Sequence, residues 1–154
     1  MKVLVLDIDG VLNSHLFLYP KVPHPPNIEF EGNEHYMFDP LAVARVNHVI
    51  EATGARVVIS SSWRNGWTFE RLKEILNEAG LIGEVIGITP TLPGLRRRGD
   101  EISQWLAEHP EVTKFIAIDD DADDSDIMTN HLVKTSFYRG MQDEHVEEAI
   151  RRLL

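Results

Sequence analysis

The chain has 154 residues, no cysteine and a formal net charge of −10 at pH 7. Its length suits one ordinary domain with a full core, and the lack of cysteine excludes disulfide frameworks, thiolate zinc sites and a cysteine nucleophile. The negative charge argues against non-specific coating of nucleic acid, because that binding neutralises phosphates with Lys and Arg. No apolar run approaches the roughly 18 residues of a membrane span, and the N-terminal segment does not fit a signal peptide. We therefore expect a single cytoplasmic domain over residues 1–154 that does not bind membranes.

The first predicted element is a buried strand over Val3–Leu6, and it leads directly into Asp7 and Asp9. Aspartate is a poor strand former, and two carboxylates close together at a strand end repel each other unless a cation lies between them. The end of this strand therefore predicts a cation site.

Residues 14–38 follow the first strand and hold four of the eight prolines without a clear apolar period. Long loops of this kind in compact domains are usually functional or mobile. We interpret the segment as a small cap-like insert that is too short to bury a whole ligand. A minimal cap predicts an open cleft.

Strand and helix patterns alternate through the rest of the chain. Asp39 fits the N-cap of a helix, Pro40 its first position and Gly54 its stop. This alternation predicts an α/β fold, a Rossmann-like three-layer sandwich whose mostly parallel sheet has helices on both faces. The further predicted strands are Arg56–Ser60, Glu84–Ile88, Phe115–Ile118 and Leu132–Ser136, and further helices are predicted between Thr68 and Gly80 and over residues 100–109 and 143–154.

Reactive or anion-binding side chains follow three of the predicted strands. Ligands of open α/β sheets bind beyond the carboxyl ends of the strands, so we expect these side chains to converge. Carboxylates from two strands can hold Mg²⁺, which prefers hard oxygen ligands. The side chains are Asp7 and Asp9 after the first strand, Ser60, Ser61 and Arg64 after the second, and Asp119 and Asp120 after the third.

The same residue types fit phosphoryl transfer. A carboxylate beside Mg²⁺ is a competent nucleophile towards phosphorus, and we assign this role to Asp7. Asp9 lies two residues further on and would protonate the leaving oxygen and later activate water. A serine hydroxyl at the second strand end and a cation from the cluster Arg96–Arg98 would bind the remaining phosphoryl oxygens.

Four segments in this order resemble the motifs of the haloacid dehalogenase-like (HAD) phosphatases: "VLVLDIDGVLN", "RVVIS", "RGDEI" and "FIAIDDDADD". The resemblance implies a Mg²⁺-dependent phosphomonoesterase with a phospho-aspartyl intermediate. It also implies that the main-chain carbonyl of Asp9 binds the metal. The implied roles are nucleophile for Asp7, general acid and base for Asp9, phosphate-binding hydroxyl for Ser60, phosphate-stabilising cation for Arg98, and metal ligands for Asp119, Asp120 and Asp124.

A narrower resemblance concerns "LDIDGVLN", "FDP", "SSSWR", "RGDEI" and the aspartate run. These segments look like the HAD domain of Swiss army knife RNA repair proteins. The resemblance implies a 3′ or 5′ phosphate at the end of a polynucleotide as the substrate. Nucleotides or other small monophosphates are the alternative substrates, and a catalytically silent phosphate- or metal-binding module is the alternative function.

The sequence leaves two interpretations open for several residues. The phosphate-binding hydroxyl could come from Ser60 or Ser61, and the cation from any of the three arginines, with Arg98 ranked first. Arg64 could bind substrate or pair with a helix carboxylate, and Trp63 is expected to pack more than to stack on a base. The sequence does not indicate a stable protein partner.

Overall fold

The computed structural model describes residues 1–19, 32–94 and 96–154. In these ranges five strands form one sheet with the order β3-β2-β1-β4-β5, and every neighbouring pair is parallel. The predicted α/β fold is confirmed, and the sheet is wholly rather than mostly parallel in the described ranges. The strands are β1 (Lys2–Leu6), β2 (Arg56–Ile59), β3 (Val85–Ile88), β4 (Lys114–Asp119) and β5 (Leu132–Lys134).

Helices connect the strands and cover the sheet. Two short 3-10 helices, Glu34–Met37 and Ser62–Asn65, accompany the α-helices. None of the helices in the described part of the chain is long and apolar enough to cross a membrane. The α-helices are α1 (His15–Leu18), α2 (Pro40–Thr53), α3 (Phe69–Glu78), α4 (Arg98–Ala107), α5 (Asp126–His131) and α6 (Asp143–Leu153).

Helix α2 begins and ends where its sequence signals predict. The Asp39 carboxylate accepts a hydrogen bond of 2.9 Å from the Leu41 N–H, which satisfies one of the unpaired donors of the first turn. Gly54 ends the helix with a φ of 68°, a left-handed conformation that suits glycine. Local signals alone therefore set both ends of this helix.

The sheet has a hydrophobic core on each face. Leu4 and Leu6 of β1 belong to the larger core, which includes residues of α2, α3 and α6. Val3 and Val5 belong to the smaller core on the other side, with residues of α4 and α5. All four side chains are buried, which explains why Val3–Leu6 is an uninterrupted apolar run.

Helix α5 was not predicted. It has six residues, and its N-cap is Ser125, whose hydroxyl accepts a hydrogen bond of 3.3 Å from the Met128 N–H. A serine before an acidic first turn is a signal that could have revealed it. The six aspartates around Asp119–Asp126 concealed this signal, because the segment resembles a loop by composition.

The predicted insert, residues 14–38, is described only at its two ends. The first end holds α1, whose N-cap is Ser14, and the second holds the 3-10 helix Glu34–Met37. Residues 20–31 lie outside the described part of the chain. The prediction of a minimal cap and an open cleft falls largely on those residues and stays a prediction.

Candidate active site

The register of the sheet brings three predicted strand ends to one level. Leu6 of β1 is the partner of Ile59 in β2 and of Ile118 in β4. The residues that follow them are Asp7, Ser60 and Asp119, which therefore lie side by side at the carboxyl edge. The Asp7 N–H donates to the Ile118 carbonyl at 3.0 Å, and the Ser60 N–H donates to the Leu6 carbonyl at 2.9 Å.

Three carboxylates form a compact acidic cluster at this edge. Asp7, Asp119 and Asp120 each offer an oxygen atom, and these atoms lie within 4.8 Å of one another. Burial and the neighbouring Asp119 charge raise the pKa of Asp7 to about 8. Burial also raises the pKa of Asp119 to about 6, although the Asp121 N–H and the Arg98 cation oppose the change.

Burial is the main cause of both raised pKa values, so ionised Asp7 and Asp119 destabilise the metal-free protein. A divalent cation bound to their oxygens would offset that cost. Three carboxylate oxygens from two strands are a hard donor set that fits Mg²⁺, with waters completing its shell. The residues present therefore fit the metal that the sequence predicts.

Magnesium should stabilise the protein more strongly at high pH. Since the folded-state pKa values of Asp7 and Asp119 are raised, their ionisation destabilises the metal-free fold as the pH rises from the ordinary aspartate range through these values. Mg²⁺ competes with protons for the same oxygens and reverses this loss. We expect the increase in Tm on adding Mg²⁺ to be larger at about pH 8.5 than at about pH 6. An equal increase at both pH values, or the same increase in Asp119→Asn, would contradict this model of the cluster.

Gly10 allows Asp120 to approach the loop after β1. Its φ is 79°, and a Cβ atom placed on it would lie 2.5 Å from the Asp120 carboxyl carbon. Any side chain at this position would therefore displace a member of the acidic cluster. The glycine of the "DIDG" segment is required by both the turn and the close contact.

Asp9 lies next to the cluster and is held by two donors that were not predicted. Its Oδ1 accepts from the Asn13 side-chain amide at 3.0 Å and from the Trp63 indole N–H at 3.1 Å. The Asn13 carbonyl oxygen in turn accepts from the Gly10 N–H at 3.0 Å. The four-residue spacing from Asp9 is a weak sequence signal for Asn13, whereas Trp63 is distant in sequence and gave no signal.

Ser60 and Arg98 form the cationic side of the site. Arg98 donates to both the carbonyl and, at 3.3 Å, the hydroxyl of the buried Ser60. Its guanidinium also lies 3.9 Å from an Asp7 oxygen and 3.8 Å from an Asp119 oxygen. The Ser61 hydroxyl instead accepts from the Trp63 N–H at 3.3 Å and caps the 3-10 helix. The geometry therefore favours Ser60 over Ser61 as the phosphate-binding hydroxyl.

The other arginines of the cluster have different partners. Arg97 pairs with Asp100 at 3.0 Å and with Asp124 at 2.7 Å, while Arg96 donates to the Pro93 carbonyl. The Asp124 side chain is 88% exposed and does not join the acidic cluster. The Asp124 carboxylate faces solvent and Arg97, so the assignment of Asp124 as a metal ligand stays a prediction without support from this geometry.

Asp123 occupies the place beside the site that Asp124 was expected to take. Its carboxylate accepts from the Gly99 N–H at 3.0 Å and from the Ser125 N–H at 2.8 Å. Burial alone would raise its pKa, but these hydrogen bonds and that of the Ser125 hydroxyl outweigh it and lower the pKa. A Cβ atom on Gly99 would lie 1.8 Å from the Ser125 hydroxyl oxygen, so the first turn of α4 packs directly on this loop.

Arg64 does not lie at an open rim. It forms an ion pair of 2.5 Å with Glu101 of α4, and both side chains are 9% exposed. Its other donors bind the Thr89 and Thr91 hydroxyls at 2.8 and 3.0 Å. Each of the three guanidinium nitrogens thus donates to a protein group, and a substrate-binding role for Arg64 stays a prediction without support from these contacts. The alternative of a helix carboxylate as its partner is the one observed.

Of the cavities found in the described part of the chain, one reaches residues of the site. A polar cavity of about 330 Å³ lies between residues 96–98 and the loop of residues 121–123, and Asp119 reaches it. A larger cavity of about 810 Å³ lies along α3 and residues 80–85. The larger one is remote from the carboxyl ends of β1 and β4, whereas the smaller one adjoins the acidic cluster through Asp119 and Arg98.

A comparison with models of protein families shows which family the chain belongs to. The profile of the HAD domain in Swiss Army Knife RNA repair proteins matches residues 3–146. The chain belongs to this HAD family. A search of curated proteins found no match, and neither did a search of solved structures. The parallel sheet is consistent with the HAD fold. Membership of the HAD superfamily supports a phosphatase-like function in general terms.

Proposed function

We propose that this HAD domain is a Mg²⁺-dependent phosphomonoesterase that acts through a phospho-aspartyl intermediate on Asp7. The observation that carries the proposal is the approach of Arg98, together with the buried Ser60 hydroxyl, to a cluster of three carboxylates. A nucleophile, an anion-binding pair and a cation site within a few ångströms are the parts that phosphoryl transfer requires. We also propose a cytoplasmic location, on the basis of the absence of cysteine.

The first step transfers the phosphoryl group to the protein. A carboxylate oxygen of Asp7 attacks phosphorus, and the bond from phosphorus to the leaving oxygen breaks. Asp9 gives its proton to that oxygen, so the product leaves as an alcohol. Mg²⁺ bound at Asp7, Asp119 and Asp120 would neutralise charge on the phosphoryl oxygens, while the Ser60 hydroxyl and Arg98 bind them by hydrogen bonds.

The second step restores the protein. Asp9, now ionised, takes a proton from a water molecule, whose oxygen attacks the phosphorus of phospho-Asp7. The bond between phosphorus and the Asp7 oxygen breaks, inorganic phosphate leaves, and Asp9 is again protonated. One carboxyl group thus serves as acid in the first step and as base in the second.

An aromatic cluster that follows the Asp9 loop in sequence supports a nucleic-acid end as substrate. It consists of His15, Tyr19 and Tyr138, and we call it the aromatic patch. The His15 ring stacks on Tyr19 at 4.0 Å and on Tyr138 at 5.4 Å between centroids. Tyr19 is 64% and Tyr138 57% exposed. Stacking on such rings binds unpaired bases of any sequence.

The aromatic patch also reconciles a polyanionic substrate with a net charge of −10. Backbone phosphates are repelled by an acidic protein except near its arginines, whereas bases are bound through their faces. His15 lies two residues after Asn13, which holds Asp9. A base could therefore lie on the patch while the terminal phosphate reaches Asp7. We accordingly propose a 3′ or 5′ phosphate on a single-stranded end as the substrate.

Mononucleotides are the second candidate substrate, because a single base could stack on the same rings. The deciding measurement is kcat/KM for 3′- and 5′-phosphorylated oligonucleotides against the matching mononucleotides, at one low salt concentration. We expect the better oligonucleotide end to be preferred by about tenfold or more, since stacking of each additional base is worth about 1 kcal/mol or more. A tenfold preference for mononucleotides or sugar phosphates would refute end processing and would require the insert to close over its ligand.

A paired substitution tests the aromatic patch itself. Tyr138→Ala should lower kcat/KM for the oligonucleotide by about fivefold or more and leave hydrolysis of p-nitrophenyl phosphate unchanged. Tyr36→Ala is the matched control, because Tyr36 is equally exposed at 57% but lies outside the patch. Equal effects of the two substitutions would exclude the patch as a base-binding surface. If neither the wild type nor any variant hydrolyses p-nitrophenyl phosphate with Mg²⁺, the domain is a silent binding module.

A further inference from the structure

Both hydrogen bonds to the Asp9 carboxyl group converge on one of its two oxygens. The Asn13 amide and the Trp63 indole N–H donate to Oδ1 at 3.0 and 3.1 Å. An oxygen that accepts two N–H bonds is a poor place for a proton, because the proton would point at a donor. The proton of the acid form is therefore directed to Oδ2.

We propose that Trp63 is a positioning residue, which fixes the Asp9 carboxyl group so that Oδ2 carries the transferred proton. This inference rests on the proposed function, since it concerns the acid of that reaction. A general acid acts only from a hydrogen-bonding position, and a carboxyl group free to rotate would present either oxygen. Trp63 does not contact the phosphoryl group in this scheme and acts through Asp9.

The indole of Trp63 is well suited to hold a fixed position. Its side chain is 6% exposed and stacks on Trp67 with 4.8 Å between ring centroids and an angle of 22° between the planes. The edge of Phe38 packs against it at 5.3 Å. A buried indole N–H normally finds an acceptor, and here the acceptor is the proposed catalytic acid.

The second indole connects Trp63 to the C-terminal end of the insert. The Trp67 N–H donates to Glu34 at 3.3 Å, and the other Glu34 oxygen pairs with Arg71 at 2.7 Å. A hydrogen bond to its own N–H, the Arg71 guanidinium and the Trp67 indole lower the pKa of Glu34 to about 2, despite its burial. Glu34 therefore stays ionised and holds Trp67, which supports the ring of Trp63.

Nuclear magnetic resonance tests the contact independently of activity. The chain has three tryptophans, so three indole N–H signals can be assigned with the variants Trp63→Phe, Trp67→Phe and Trp105→Phe. In Asp9→Asn, the signal of Trp63 should move because its acceptor loses its charge, and that of Trp105 should not. A Trp63 signal that does not respond to Asp9→Asn would overturn the inference, whatever the catalytic activity.

Leaving-group dependence tests the consequence for catalysis. Trp63→Phe keeps an aromatic ring and removes the N–H. We expect kcat/KM for an alkyl phosphate, which needs a proton on its leaving oxygen, to fall by about tenfold or more. For 2,4-dinitrophenyl phosphate, whose leaving group departs as a stable anion, kcat/KM should stay within about twofold. Equal losses on both substrates would overturn the positioning role and indicate a general structural effect.

Trp105→Phe is the matched control, because Trp105 is as buried as Trp63 but belongs to the core on the other face of the sheet. Both substrates should lose activity to the same small extent in this variant. A wild-type protein that hydrolyses neither substrate would refute the proposed function. The resonance experiment would then still test whether Trp63 donates to Asp9, without a catalytic role for that hydrogen bond. The increase in Tm on adding Mg²⁺ should be unchanged in Trp63→Phe, which shows that the acidic cluster is intact.

Discussion

Asp7→Asn is expected to abolish phosphate ester hydrolysis while the protein still folds. The amide has the size of the carboxylate, but it cannot form the phosphoryl intermediate. Because the site then lacks its nucleophile, kcat should fall by more than about a thousandfold, or about 4 kcal/mol in the barrier. The measurement is the steady-state rate with p-nitrophenyl phosphate and Mg²⁺.

The same variant carries its own control for folding. Burial and the Asp119 charge raise the pKa of Asp7, so the ionised carboxylate destabilises the metal-free protein and the neutral amide should not. Asp7→Asn should therefore show an equal or higher Tm than the wild type in EDTA near pH 8 (about the raised pKa). More than about a tenth of the wild-type kcat, which is a barrier change below about 1.4 kcal/mol, would exclude Asp7 as the nucleophile.

Removal of the metal is expected to have the next largest effect. Hydrolysis should stop in excess EDTA and recover with Mg²⁺, because the acidic cluster and the phosphoryl group are both negative and repel each other without a cation. Ca²⁺ should be a poor substitute, since its larger and looser coordination shell would misplace the nucleophile. The measurement is the rate of hydrolysis as each ion is titrated into the chelated protein.

Asp119→Asn gives a graded form of the same experiment. The variant loses one carboxylate of the cluster and should need at least about tenfold more Mg²⁺ for half-maximal activity, because ligand charge sets affinity for hard cations. Asp124→Asn is the matched control and should leave the requirement unchanged, since Asp124 lies at the surface against Arg97. Full activity in excess EDTA would refute the metal-dependent mechanism.

The convergence at the carboxyl edge was predictable because it depends on local patterns and a general rule of parallel sheets. An apolar run followed by acidic residues identified Asp7 and Asp119 as strand ends, and parallel strands place such ends at one edge. Helix α2 was predictable for a similar reason, because Asp39 and Gly54 act on the helix through their own neighbours. In each case the controlling residues lie within a few positions of the element.

The partners of side chains were less predictable because they are set by tertiary packing. Arg64 and Glu101 lie 37 positions apart, and Asp9 and Trp63 lie 54 apart. No local pattern distinguishes an arginine that binds phosphate from one that pairs inside the protein. The direction of neighbouring acids in a loop is unpredictable for a related reason: the hydrogen bonds of Asp123 to Gly99 and Ser125 are tertiary contacts, and Asp124 faces solvent.

The position of β1 at the centre of the sheet has a consequence for synthesis of the chain. β1 is made long before β4, the strand that pairs with one of its edges and that ends at Asp119. At ribosomal rates of about 5–20 residues per second, its second edge waits roughly 6–22 s for a partner. Until then the N–H and C=O groups along that edge have no strand partner, which is the condition that favours pairing with another chain. The strand that leads to Asp7 therefore keeps one edge open until most of the domain has been made.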